Sequence, residues 1–113
     1  MKLSDLATRL ELRVYKGKIP LDRPVGGGYV SDLLSDVMGH SRKDDLWVTM
    51  QVHPNIIAVA VLKELAGIVL VNGREPAAET LQQAEREGVA VLGSRLSAFE
   101  LVGRLYRLGI KGG

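Results

Sequence analysis

The residues best suited to chemistry stand just after three apolar runs. Gln51, His53 and Asn55 follow Leu46-Trp47-Val48-Thr49-Met50. Asn72, Gly73 and Arg74 follow Ile68-Val69-Leu70-Val71, and Ser94 and Arg95 follow Val89-Ala90-Val91-Leu92. If the runs are neighbouring strands of an open α/β sheet, these residues share the rim at the carboxyl ends, where such sheets bind ligands. Two guanidinium forks beside the free N–H groups of helix starts suit a small anion, a metabolite or a nucleotide. The plainer reading stands beside this one, because Asn-Gly is ordinary turn chemistry and surface arginines are commonly just solvated.

Other groups lead to less. His53 has one histidine companion, His40, with no matched ligand spacing, so a helix-capping or hydrogen-bonded histidine is preferred to a base or a metal ligand. Gly26-Gly27-Gly28 runs into Tyr29-Val30-Ser31-Asp32. It lacks both the Gly-Lys-Ser/Thr ending of a P-loop and the spaced glycines of a dinucleotide loop. Glycines in extended chain more often mark a bulge or a close approach of backbone. Asp32, Asp36, Asp44 and Asp45 read as caps and turn residues. No catalytic triad, carboxylate pair or thiol can be assembled, so the expectation is a non-catalytic protein with no metal and no cofactor. A turnover through His53 is the least supported reading.

The elements that would position this rim are clearest in the second half. Leu46–Met50 reads as a strand after the turn pair Asp44-Asp45. Pro54 suits the first turn of a helix running to Leu65 or Ala66 and stopped by Gly67. Ile68–Val71 is continuously apolar, as a strand covered on both faces should be. A helix from Pro76 to Glu87, stopped by Gly88, leads to the strand Val89–Leu92. Ser97 and Glu100 have capping-box spacing before a last helix to Leu108, ended by Gly109. Alternation of this kind means βαβ units. In the first half, Ser4 should cap a short helix, Leu12–Tyr15 reads as a strand, and Gly17–Pro24 as a turn-rich loop. Val25–Val30 reads as extended chain, and Asp32–Met38 as a short helix ended by Gly39. The expected fold is α/β, a small mostly parallel sheet with helices on both faces, in one domain over residues 1–110 with residues 111–113 a flexible tail.

The segment from Pro54 to Leu65 has almost no polar face. A helix apolar all round is buried on both sides. Ile56, Ile57, Val59, Ala60 and Leu62 are therefore expected to face a second copy of the chain in a homodimer. The alternative is a central helix wrapped by the N-terminal segment.

Composition narrows the partners. The chain has 113 residues, no cysteine and 46% apolar residues, which fits one core in a reducing, cytoplasmic setting. No secretory start is visible, and the apolar stretch Ile56–Val71 is interrupted by Lys63 and Glu64 and falls short of the roughly 20 residues of a membrane span. The pI of 9.1 suggests nucleic acid, but 15 basic against 13 acidic residues leave only +2. These charges are interspersed and the aromatics scattered, unlike a nucleic-acid footprint. Neither nucleic acid nor membrane is expected as a partner.

Val48–Asn55, the apolar helix, and Ala66-Gly67-Ile68-Val69-Leu70-Val71-Asn72-Gly73-Arg74-Glu75-Pro76 together resemble the DRTGG domain family. The likeness extends to Gly28–Asp36 and to Ser97–Ile110. At the places of the family's Asp-Arg pair and Thr-Gly-Gly turn the chain has His53-Pro54 and Asn72-Gly73-Arg74, so only Gly73 is kept. Asp22-Arg23 followed by Gly26-Gly27 looks like the name but lies in another element. A weaker likeness runs to the N-terminal domains of HPr kinase/phosphorylase and the Mur ligases, through Asp44–Val48. The resemblance implies an accessory module of the kind that accompanies CBS domains in some pyrophosphatases. It would regulate or dimerise rather than catalyse. Its alternative is an interaction subunit of a kinase or metabolic enzyme that binds no ligand.

Overall fold

The computed structural model describes every residue except 16–19, so the start of the loop expected from Gly17 lies outside the described residues. Strands β1 (Arg13–Val14), β2 (Gly27–Val30), β3 (Asp45–Thr49), β4 (Gly67–Leu70) and β5 (Val91–Gly93) form one sheet in the order β1-β5-β4-β3-β2. β2 to β5 are parallel, and β1 joins the far edge antiparallel to β5, with Arg13 opposite Gly93. The helices are α1 (Leu3–Arg9), α2 (Leu34–His40), α3 (Asn55–Leu62), α4 (Ala78–Glu87) and α5 (Ala98–Arg107). The expected α/β class and mostly parallel sheet are therefore present, and the βαβ pattern already begins at β2.

Because β2, β3, β4 and β5 follow one another across the sheet, right-handed crossovers place α2, α3 and α4 on the same face. Alternate strand residues serve the two faces. Trp47, Ile68, Leu70 and Val91 meet Val37 of α2, Ile56 and Ile57 of α3 and Ala84 of α4. Leu46, Val48, Val69, Val71 and Leu92 meet Leu3 and Leu6 of α1 and Leu101 and Leu105 of α5. Each strand between two such layers is apolar at nearly every position, which is why the runs read so plainly in the sequence.

Several expectations change in detail. α1 begins two residues early, so Ser4 is not its cap. Lys2 holds that position, and its N–H donates to the Asp5 carboxylate at 2.9 Å. Gly39 lies inside α2. α3 ends at Leu62, where Glu64 adopts φ of 52°, and Gly67 opens β4 instead of stopping the helix. Gly88 and Gly109 do end helices, with φ of 70° and 92°. Ser97 accepts the Glu100 N–H, as the capping spacing predicts. Gly26-Gly27-Gly28 is strand and close approach: Gly28 N–H donates to the Lys111 carbonyl at 3.1 Å. A Cβ on Gly27 would lie 2.8 Å from that same oxygen. Lys111 is thus hydrogen-bonded to the sheet edge through its carbonyl.

The docking role expected of α3 is also corrected. Ile56, Ile57, Val59 and Ala60 are buried in the chain's own core between the sheet, α2 and α4, and of the five expected contacts only Leu62 is exposed. The helix is apolar because it sits in the middle of its layer, covered by α2 and α4 rather than by the N-terminal segment or a second copy.

Candidate functional site

The connections leaving β4 and β5 part company. After β4 the chain turns to α4 on one face, and after β5 it turns to α5 on the other. Adjacent strands whose connections leave on opposite faces open a crevice at their carboxyl ends, the place where open α/β sheets take ligands. A pocket of about 520 Å3 lies there, within the range of small-molecule sites. From the β4 side it is lined by Gly73, Arg74 and Glu75, and from the β5 side by Gly93, Ser94, Arg95 and Leu96. Leu10, Glu11, Arg13 and Tyr15 close it from the β1 side, and Arg104 of α5 from beneath.

Local chain geometry explains how these residues come together. Asn72 and Gly73 have φ of 58° and 66°, and the Arg74 N–H donates to the Val71 carbonyl. Such a turn needs positive φ at both central residues, which Asn and Gly tolerate best. Two backbone bonds then join the loops across the crevice floor, Asn72 N–H to Leu96 O and Gly73 N–H to Ser94 O, each at 2.8 Å. Ser94 is buried, and its hydroxyl accepts the Leu96 N–H at 3.1 Å. These bonds hold together the two loops that carry Arg74 and Arg95.

The electrostatics favour an anion. Four guanidinium groups, on Arg13, Arg74, Arg95 and Arg104, line the pocket against two carboxylates, on Glu11 and Glu75. Arg13 pairs with Glu75 and lies over the Tyr15 ring, 4.7 Å from its centre. Arg104 pairs with Glu100 at 3.3 Å. Among the described residues, Arg74 and Arg95 have no ion-pair partner. Burial, reinforced by the Glu75 charge and opposed by Arg13, holds the Tyr15 hydroxyl above its ordinary pKa. It remains a neutral donor at physiological pH.

Of the expected rim residues, Gly73, Arg74, Ser94 and Arg95 meet in this pocket, and Gln51, His53, Asn55 and Asn72 do not line it. Gln51 donates to the Asp32 carbonyl, and Asp32 also accepts from the Thr49 hydroxyl at 2.7 Å and the Met50 N–H. His53 accepts the Asn55 N–H at 3.2 Å, a local bond at the start of α3 that matches the structural reading of this histidine. Asn72 sits between the two groups and points its amide at the Met50 sulfur. Arg13, Tyr15, Glu75 and Arg104 are additions. Arg13 lies on the short antiparallel β1 and Tyr15 just after it, Glu75 in the loop after β4 and Arg104 on α5, and no motif in the sequence signalled them as a group. Arg23 lies at the opposite rim, where it bonds Asp44 and the Glu64 carbonyl. Among the described residues no group of three or more His, Asp or Glu could hold a metal ion. None of their helices is long and apolar enough to cross a membrane.

No family model and no curated protein matches the chain by sequence. Its structure is similar to that of the CBS and DRTGG domains of the regulatory region of Clostridium perfringens pyrophosphatase, complexed with the activator diadenosine tetraphosphate. The TM-score is 0.65 at 11% identity, over 89% of this chain and 44% of that one. The chain thus shares a CBS/DRTGG-like α/β fold and spans less than half of that regulatory region. At this identity the likeness concerns the fold alone.

Proposed function

We propose that the chain is a regulatory domain that binds a small anionic metabolite, of phosphate or nucleotide chemistry, in the crevice between the β4 and β5 loops. One observation carries the reading: Arg74 and Arg95 flank a pocket at the switch between connections, without ion-pair partners among the described residues. The similarity to a regulatory region crystallised with a nucleotide activator agrees with it. Binding in such a crevice needs no reacting group, and the expected output is a change of stability or association rather than turnover.

A thermal-shift screen of nucleotides, sugar phosphates and acyl phosphates tests this reading. A ligand at one hundred times its dissociation constant adds about 2.7 kcal/mol to the folded state. The shift should be lost when Arg74 and Arg95 are both replaced by alanine. The absence of a shift with every compound would overturn the proposal in favour of an interaction subunit without a ligand.

A further inference from the structure

α5 is amphipathic in an unusual way. Leu101 and Leu105 face the core, and the opposite crest should be polar. It carries instead Phe99, 90% exposed, and Tyr106, 52% exposed, on either side of Gly103. A Cβ on Gly103 would meet no atom within 4 Å. One flank of the crest continues as an apolar groove through Val102 to Val30 and Ile110. The other flank is charged, with Glu100 near the amino end, Arg104 paired with it within the helix, and Arg107 near the carboxyl end.

We infer that a second copy of this chain docks on this crest, α5 against α5, antiparallel about a two-fold axis at Gly103. The argument is self-complementarity of charge and shape. At a rise of 1.5 Å per residue, Glu100 lies about 4.5 Å before the crossing point and Arg107 about 6 Å after it. A two-fold axis across the helices keeps each flank on its own side, so Glu100, which pairs with Arg104 of its own helix, also faces Arg107 of the other copy, twice. The same arithmetic brings Phe99 opposite Tyr106 of the second copy, within about 1.5 Å along the axis, in reach of an aromatic pair. Gly103 at the centre lets the backbones approach, and Val102 meets its own copy on the apolar flank. An interface of this kind is isologous and closes at two.

Light scattering and sedimentation over a range of concentrations should show a monomer–dimer equilibrium. Gly103→Arg puts a charge and bulk on the axis. It also replaces a helix glycine by a better helix former, so it should give a monomer whose thermal midpoint is no lower than that of the wild-type monomer. Glu100→Arg and Arg107→Glu should each weaken the dimer by at least about tenfold, and a mixture of the two variants should re-form a heterodimer. A wild-type chain monomeric throughout the micromolar range would overturn the inference. So would a dimer unaffected by Gly103→Arg, or two charge variants that fail to pair with each other.

Discussion

Ile57→Ala against Leu62→Ala measures which side of α3 is covered, and by what. Ile57 is wholly buried among Trp47, Ile68 and Leu70, whereas Leu62 is 70% exposed one turn later. Truncating a buried isoleucine costs about 2–5 kcal/mol, because transfer energy is lost and the cavity only partly collapses. Unfolding entropy is about 2.1 cal/mol/K per residue. Over 113 residues that makes about 0.24 kcal/mol/K, so a loss of about 3 kcal/mol lowers Tm by about 13 °C. Leu62→Ala should stay within about 0.5 kcal/mol, or about 2 °C. Calorimetry or denaturant titration reads both values. The gap between wild type and Ile57→Ala should not change with protein concentration, since the side chain packs inside its own chain. Equal losses at the two positions, or a larger one at Leu62, would refute the reasoning.

Gly27→Ala should destabilise by about 1–3 kcal/mol through overpacking, because the new methyl meets the Lys111 carbonyl at 2.8 Å and the Asp45 carboxylate at 2.9 Å. Gly39→Ala, in open space within α2, should instead gain about 0.5–1 kcal/mol in the same urea titration. The Tyr29 hydroxyl donates to Asp36 at 2.8 Å and is the foremost cause holding that carboxyl below its ordinary pKa, followed by Ser31 and His40. A depressed folded pKa contributes stability that is present above the unfolded value and lost as pH falls through the folded one. Tyr29→Phe should therefore move the Asp36 midpoint upward in an NMR titration and weaken the acid-side fall in stability.

Much of this was legible in the residues, for reasons that differ by element. β4 stands out because both its faces are covered, so Ile68–Leu70 carries no polar alternation. Gly88 and Gly109 end helices by the left-handed conformation that glycine adopts freely. Gly67 misled because Glu64 takes that role earlier, which composition does not favour. The apolar character of α3 was plain, but a sequence does not say whether a sister helix or a second copy supplies the cover. Arg74 and Arg95 followed from the carboxyl-end rule. Arg13 and Tyr15 did not, since their place depends on β1 crossing back to pair with β5, a contact of long sequence separation. His53 was placed on the same rim as Arg74, yet the pocket opens where the connections diverge, one strand further along.

Amide shift mapping by 1H–15N NMR, with ADP and inorganic pyrophosphate as probes, tests the central claim most directly. The account predicts saturable shifts concentrated on Gly73, Arg74, Ser94 and Arg95, extending to Arg13 and Tyr15 and abolished in the Arg74→Ala, Arg95→Ala double variant. Shifts centred on His53 and Asn55, spread over the basic surface, or absent with both probes would contradict it.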